Sequence, residues 1–319
     1  MTSASTPPQT IVIEPPDQPR PSAVTERDIA RAGATRRSRD SRIKIWVGTI
    51  SVMIVVAPVA LARILPLPSP DATNLAARRL PPLTDGHLFG TDQLGRDLLA
   101  RVLYGGQVSL LIGLLAVLVS GLIGLTLGAL AGYRGGWTDT IVSRLLEAQL
   151  SLPLLMMLLL VVALFGASIP VITFVIAIAQ WPEIARLTRS LTLVEREKPY
   201  IAAAHVLGLG NGAILLRHIV PNIVKQVSLV VMLLLAQAVL LESALSYLGA
   251  GPQRPFATWG RIISDGQDYV TTSWWLVTLP GLVIAVLVVG VNLLGDGMRD
   301  RTGGSKGLLK RFALQRKDK

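Results

Sequence analysis

Several uninterrupted apolar stretches of membrane-spanning length constrain this chain most. Residues 108–130 and 274–294 carry no charged side chain, and residues 227–245 carry only Glu242, near the end. A helix rises about 1.5 Å per residue, so these stretches match a hydrocarbon core about 30 Å thick. With 51% hydrophobic and 16% charged residues, the chain also has too much apolar surface for one water-soluble core. The sequence therefore predicts an all-α polytopic membrane protein.

Three further stretches complete a prediction of six transmembrane helices. Residues 45–65 form an apolar run directly after a basic segment, which favours a signal anchor over a cleaved signal peptide. Residues 141–164 and 169–187 are also apolar, but Pro153 and Pro182 interrupt them. Because lipid offers no hydrogen bonds to backbone groups that a proline frees, we expect both interrupted helices to face a bundle interior.

The two ends of the chain differ from the rest in composition. Residues 1–42 are rich in proline, serine and threonine and contain few large apolar side chains, so we expect a disordered tail before a first transmembrane helix over 43–66. Residues 301–319 form a second, basic tail. The positions between, from about 85 to 300, contain the remaining predicted spans.

The distribution of the 31 Lys and Arg residues predicts the orientation. Cytoplasmic loops of membrane proteins carry an excess of these residues. Six spans with both termini in the cytoplasm place all but seven of them inside, the outer ones being Arg63, Arg78, Arg79, Arg96, Arg101, Arg254 and Arg261. This distribution accounts for the net charge of +11 without a nucleic-acid partner, and we expect a multi-pass protein of a bacterial inner membrane.

Sites for catalysis, metals and nucleotides are not indicated by the sequence. The chain has no cysteine, and its three histidines, His87, His205 and His218, lack the spacing of metal ligands. No segment has the form G-x-x-x-x-G-K-[ST] that cradles nucleotide phosphates. We therefore expect no catalytic residue, no metal and no cofactor bound by this chain.

Two features inside the predicted spans admit two interpretations each. Gly124, Gly128 and Gly132 recur every fourth residue, which allows close helix packing within the chain or forms a wall of a translocation path. Glu147 is the one carboxylate deep in a span, and such a charge indicates function. Because Arg144 lies three residues earlier, a local ion pair is the alternative to a contact with substrate.

The segment 195–225, between the fourth and fifth predicted spans, is the most informative loop. It predicts a helix over 195–207, a break at its glycines, and a short helix over 213–218 that Pro221 and Asn222 end. Ala203, Ala204, Val206 and Leu207 form a small apolar surface that suits either a groove in a partner protein or the membrane interface.

This loop resembles the "EAA" loop of ATP-binding-cassette (ABC) importer permeases. The resemblance implies that the loop is a coupling helix that inserts into a cytoplasmic ATPase. The acidic first position of the family motif is Ala202 here, which removes a salt bridge often made from that position. The residues that match the motif, or lie beside it, are Ala202, Ala203, Ala204, His205, Leu207, Gly208, Pro221 and Asn222.

Two more segments resemble the second, or "C", membrane subunit of dipeptide, oligopeptide and nickel permeases. The first is residues 90–97, GTDQLGRD, before the second predicted span. The second group comprises ESALSYLG at 242–249, Trp259-Gly260 and NLLGDG at 292–297. Together the matches cover about residues 85–300, whereas the proline-rich and basic tails lie outside them.

The resemblance implies a type I ABC importer permease fold and a set of partners. These are a homologous second permease subunit, two cytoplasmic ATPase domains that bind ATP and Mg²⁺, and an extracytoplasmic solute-binding protein. Gly124, Gly128 and Glu147 become candidates for the translocation path. Arg96, Asp97 and Arg101 become candidates for contact with the binding protein, the alternative being a solvated interfacial helix.

Peptides are the expected substrates of such a transporter. Nickel chelates and other small solutes are alternatives within the same family. An ion-coupled secondary transporter is disfavoured because the spans contain few titratable groups and no repeat symmetry, and a membrane-embedded enzyme because no convergent set of reactive side chains is evident.

Overall fold

The structure, a computed structural model, describes residues 23–253 and 255–301, with side chains from residue 40 onward. Within these ranges the chain is helical and contains no β-strand, only two isolated β-bridges. The ten α-helices of this part are α1 (Ala23–Leu61), α2 (Leu98–Arg134), α3 (Gly136–Leu150), α4 (Leu154–Phe165), α5 (Ile169–Arg196), α6 (Pro199–Val206), α7 (Asn211–Ile214), α8 (Val220–Tyr247), α9 (Trp259–Gly266) and α10 (Trp275–Arg301).

The first helix begins earlier than the sequence predicted. α1 starts at Ala23, so residues 23–42 are helical where we expected a disordered tail. No proline occurs between Pro21 and Pro58, and the segment is rich in alanine and arginine, which favour helix and extend the apolar span toward the N terminus. The rest of the predicted tail, residues 1–22, and most of the basic C-terminal tail, residues 302–319, lie outside the described residues.

α2 is a long apolar helix with a capped N terminus. Its N-cap is Asp97, whose Oδ1 accepts a hydrogen bond from the backbone N–H of Ala100 at 2.7 Å. At about 1.5 Å per residue, 37 residues extend roughly 55 Å, which exceeds the thickness of a bilayer core. α2 therefore projects beyond the bilayer and links structures on its two sides.

The interrupted third span is two helices rather than one. α3 and α4 meet at an angle of 91°, with the break at Ser151 to Pro153. Proline lacks a backbone N–H and cannot continue the ladder of α3, but it suits the N-cap of α4. In the described residues five helices are long and apolar enough to cross a membrane, or six if this bent pair counts as one span.

The glycine stripe of α2 packs against α5 inside the chain. A Cβ added at Gly124 would lie 2.6 Å from Cβ of Ile184, and one at Gly128 would lie 2.4 Å from the carbonyl oxygen of Ala185. Gly132 meets the carbonyl oxygen of Arg189 in the same way, at 2.7 Å. All three glycines are buried by these contacts. Of the two interpretations of the stripe, close packing within the subunit is the one observed.

Two apolar cores lie on either side of α2. One joins α1, α2, α8, α9 and α10 and includes Trp259, whose Nε1 donates to the carbonyl oxygen of Val102 at 2.8 Å. The other joins α2, α4, α5 and α8. Gln180 of α5 is buried beside the second core and donates to the carbonyl oxygen of Leu234 in α8 at 3.0 Å. α2 and α8 thus contribute to both cores and connect the two halves of the bundle.

The prediction that Pro221 and Asn222 end a short helix is wrong. α7 continues through a π-helical turn, Leu215–Ile219, directly into α8, and Pro221 lies in the first turn of α8. A proline is tolerated at the start of a helix because its missing N–H has no partner there. The π-helical turn before Pro221 accommodates the proline ring, so that α7, this turn and α8 form one continuous helical rod.

We predict that Gly128→Ala destabilises the bundle. The added methyl group would meet a backbone carbonyl that cannot rotate away, so α2 and α5 must separate, at a cost of about 1–3 kcal/mol. The melting temperature of the purified protein in detergent should fall by several degrees. Gly281→Ala in α10 is the matched control, since its Cβ would meet no atom within 4 Å. Equal melting of the two variants would contradict the packing role of the stripe.

Candidate coupling surface

The hairpin that follows α5 is half embedded in the protein. Ile201 and Ala204, on one side of α6, are buried against Ala129 of α2 and against Ile214 and Ile223 of the α7–α8 rod. The burial of Ile201 and Ala204 follows from their spacing of three residues, which places them on one helix face. The hairpin is therefore fixed to the spans by an apolar contact on this face.

The opposite face of α6 and the turn after it are free. Val206 is 88% exposed and Leu207 80%, and Ala202, Ala203 and His205 are also exposed. These two adjacent apolar side chains project from the end of the hairpin and pack against nothing among the residues that the structure describes. The sequence placed Ala204 on this surface as well, but Ala204 belongs to the buried face.

Gly208 turns the hairpin. Its φ is +79°, in the left-handed region where side chains other than glycine are strained. A Cβ at this position would meet no heavy atom within 4 Å, so the requirement for glycine is conformational and not steric. Gly210, two residues later, has an ordinary φ of −66° and equally open surroundings.

A chain of hydrogen bonds connects the end of α5 to α8 across the hairpin. Glu195 accepts from Lys198 Nζ at 2.6 Å and from the hydroxyl of Tyr200 at 2.6 Å. The Tyr200 hydroxyl accepts in turn from Asn222 Nδ2 at 2.9 Å, and the same amide also donates to the carbonyl oxygen of His218. Burial, and next the bond to Glu195, raise the pKa of Tyr200, so its hydroxyl stays a donor at neutral pH.

The end of α2 is tied to the same region. Arg196 Nη1 donates to the carbonyl oxygen of Gly132 at 2.9 Å, which satisfies one of the free carbonyls of a helix C terminus. The hydroxyl of Tyr133 donates to Asn211 Oδ1 at 3.0 Å.

A further contact joins α3 to α5, where Asp139 and Arg189 form a bidentate ion pair. Asn222 was predicted from the sequence, whereas Glu195, Tyr200 and Arg196 were not, because hydrogen bonds between individual polar groups leave no periodic signal in the sequence.

Glu147 lies on the outer surface of α3 and not in a buried site. Its Oε2 accepts from Arg144 Nη1 at 3.0 Å, and the side chains are 65% and 78% exposed. The local ion pair that the sequence offered as one alternative is thus present. The pair lies in a helix that belongs to the broken span, so two charges are exposed on a segment of the membrane domain.

The charges just before α2 and in its first turn are buried, contrary to expectation. Arg96, Asp97 and Arg101 were predicted to contact a partner or to lie on a solvated helix, yet all three are buried. Asp92 organises them: its carboxylate accepts from the Arg96 backbone and Nε at 2.9 and 2.6 Å, and from Arg101 Nη1 at 2.5 Å. Asp97 caps α2 and also binds His87 Nδ1 at 2.7 Å.

These ion pairs form the floor of an open cavity. Arg96 and Arg101 line a volume of about 320 Å³ together with Asp71, Phe256 and Arg261. Arg101 Nη2 also lies 3.3 Å from Asp265 Oδ2, which joins the first turn of α2 to α9. The GTDQLGRD segment is therefore a structural unit that fixes α2 to α9. The signal for it was the motif itself, whose Asp92 we did not single out.

Comparison with known proteins places the chain among transport proteins. Residues 124–302 match the family described as "Binding-protein-dependent transport system inner membrane component". A putative peptide transport system permease protein of Brucella suis biovar 1 is 36% identical over 283 residues, which cover 88% of this chain and 95% of that protein. The oligopeptide transport system permease protein of Escherichia coli K12 is 40% identical over 266 residues, covering 83% of this chain and 88% of that protein.

Solved structures support the fold. A chain of a methionine ABC transporter, solved in inward-facing conformations, superposes with a TM-score of 0.50 at 18% identity. The alignment covers 63% of this chain and 95% of that chain. An amino acid ABC transporter gives the same TM-score and identity, with 63% and 94% covered. At this identity the likeness concerns the fold alone.

We predict that Asp92→Asn strongly destabilises the protein. The substitution leaves Arg96 and Arg101 buried with a weaker partner, and breaking a buried ion pair in this way typically costs about 3–5 kcal/mol. Thermal melting in detergent should reveal the loss. Asp85→Asn, at an exposed position five residues before the GTDQLGRD segment, should melt like the wild-type protein. A melting temperature unchanged by Asp92→Asn would show that Asp92 does not organise this segment.

Proposed function

Since the chain belongs to the family of binding-protein-dependent transport system inner membrane components, we propose that it is a permease subunit of an ABC importer for peptides. The family that the sequence motifs indicated is confirmed, and with it a location in the inner membrane. Peptides are the proposed substrate class because the relatives described above are named for peptide and oligopeptide transport.

The proposed membrane topology has six spans, with α3 and α4 together forming one broken span. Both termini then lie in the cytoplasm, as the distribution of Lys and Arg favours. This orientation puts the α6–α7 hairpin in the cytoplasm and the GTDQLGRD segment outside. The remaining elements of the transporter, under this proposal, are a homologous permease subunit and an extracytoplasmic binding protein, together with two ATPase domains that bind ATP and Mg²⁺.

The observation that carries the coupling proposal is the exposed pair Val206 and Leu207 beside the left-handed Gly208. An apolar tip on a hairpin fits a groove in a partner better than it fits water. We place the ATPase there. The buried face of α6, held by Ile201 and Ala204, would transmit the movement of the ATPase to α2 and α8. The bonds among Glu195, Tyr200 and Asn222 would make α5 move with them.

The translocation path is proposed to run beside α3. Exposed charges are costly next to lipid, so the face of α3 that carries Arg144 and Glu147 must meet water or another protein chain. This argument favours Glu147 as a residue of the path. Gly124 and Gly128 do not fit that role because α5 covers them.

Contact with the binding protein is proposed on the outer side of the membrane. Asp71 and Arg261, which line the cavity there, fit this contact better than Arg96, Asp97 and Arg101, which are buried.

Cysteine labelling tests the topology. Because the chain has no native cysteine, Thr271→Cys and Ser305→Cys each introduce a single thiol. A membrane-impermeant maleimide should label position 271 in intact cells and position 305 only after permeabilisation. The opposite pattern would refute an orientation with both ends inside.

Substitution of Gly208 tests the coupling role. Gly208→Val forces a β-branched residue into the left-handed region, at a cost of about 1–3 kcal/mol. We expect membrane insertion to remain near wild type and ATP-driven peptide uptake in proteoliposomes to fall by roughly tenfold or more. Gly210→Val is the matched control, because it places the same side chain in equally open space with an unstrained φ. Equal uptake by the two variants would contradict a role of the hairpin in coupling.

A further inference from the structure

A groove between α1, α8 and α10 combines an apolar wall with two cationic side chains. It has a volume of about 510 Å³ and is lined by Ile45, Lys225, Ser228, Leu229, Met298 and Arg301. The proposed function assigns it no role. We propose that it binds an anionic phospholipid, with the phosphate between Lys225 and Arg301 and an acyl chain along Ile45, Leu229 and Met298.

The groove exists because α1 and α8 both pack against α10 but hardly against each other. α1 lies close to α10 through Gly48, whose Cβ would be 2.7 Å from the carbonyl oxygen of Gly290. α8 lies close to α10 through Gly295, whose Cβ would be 2.3 Å from Leu233 Cδ2. α1 and α8 make almost no direct contact. The space between them is therefore open along the side of the bundle.

The cations lie at the level of lipid headgroups. Tyr247 ends α8 and lies 22 residues after Lys225, a rise of about 33 Å that is close to the thickness of a hydrocarbon core. On the neighbouring helices, Lys44 Nζ lies 2.9 Å from Asp300 Oδ2, which sets the start of the α1 span level with the end of α10. Arg301 follows directly, so the groove opens at one membrane boundary.

Charge decides which molecule fits. Lys44 is neutralised by Asp300, whereas Lys225 and Arg301 are exposed and form no ion pair with any residue between 40 and 301 that the structure describes. Basic pockets between transmembrane helices attract anionic lipid headgroups. A free phosphate would leave the apolar wall without a contact, and an uncharged lipid would leave the two cations without a counter-charge.

The chain's own C-terminal tail is a poor occupant. The residues after Arg301 carry the same sign of charge as the groove, at Lys306, Lys310, Arg311, Arg316, Lys317 and Lys319. Like charges at the opening would repel the tail. The lipid is assigned to the cytoplasmic leaflet by the proposed orientation, but its binding does not depend on that orientation or on the transported substrate.

Lipid retention by the full transporter tests the proposal. The complex is exposed to nanodiscs of phosphatidylglycerol and phosphatidylethanolamine in equal parts, extracted into detergent, and its bound lipid is identified by native mass spectrometry. Wild type should retain phosphatidylglycerol preferentially. Lys225→Gln with Arg301→Gln should lower this retention roughly 25-fold, since each cation near an anionic surface contributes about a fivefold preference.

The control removes two charges elsewhere. Arg186→Gln with Arg217→Gln, at exposed positions outside the groove, should retain lipid like wild type. Leu229→Trp fills the groove but keeps both cations, and it should also reduce retention. All variants are first required to melt like wild type.

Three results would overturn the proposal. The first is unchanged lipid retention in the Lys225 and Arg301 double variant. The second is retention unaffected by Leu229→Trp, which would indicate a bound phosphate group without an acyl site. The third is increased retention after truncation of residues 302–319, which would show that the tail occupies the groove. None of these results depends on peptide transport, so the lipid site and the proposed function can fail separately.

Discussion

The close approach of α2 and α5 is the contact on which the rest of the bundle depends. In lipid, helices gain little from apolar burial alone, so backbones that approach through Gly124, Gly128 and Gly132 supply the packing that side chains cannot. Further contacts fix both ends of α2. At one end Asp97 caps the helix and Arg101 bonds to Asp265 of α9, and at the other end Arg196 binds the last carbonyl groups.

The hairpin after α5 has two faces with different tasks. Ile201 and Ala204 join it to the spans, while Val206 and Leu207 remain exposed. A hairpin exposed on all sides could bind a partner without moving the transmembrane helices. A hairpin packed against those helices on one face would pass a movement of the partner on to them. The hydrogen bonds of Tyr200 extend that anchoring to α5 and α8, which is why the hairpin fits a coupling role better than a role as a membrane-surface helix.

The sequence predicted the elements with strong local signals. Apolar length located the spans, and the glycines of the 195–225 segment predicted the break that the structure contains at Gly208. Features that depend on tertiary contacts were not accessible. The burial of Arg96 and Arg101 depends on Asp92 and Asp265, and a charged residue alone does not reveal its partners. The sequence predicts a helix end at Pro221, and the structure differs because the π-helical turn before Pro221 has no signature in residue type.

The π-helical turn at Leu215–Ile219 has a consequence for how the hairpin is aimed. Successive residues of an α-helix are about 100° apart around its axis, and a wide turn inserts roughly one extra residue into that count. The side chains of α7 therefore point in directions that α8 alone would not give them. Lengthening or shortening this one turn would rotate α7 relative to α8, while the side chains of α8 that face the membrane kept their directions. The direction of α7 is thus set separately from the fit of the α8 span to lipid.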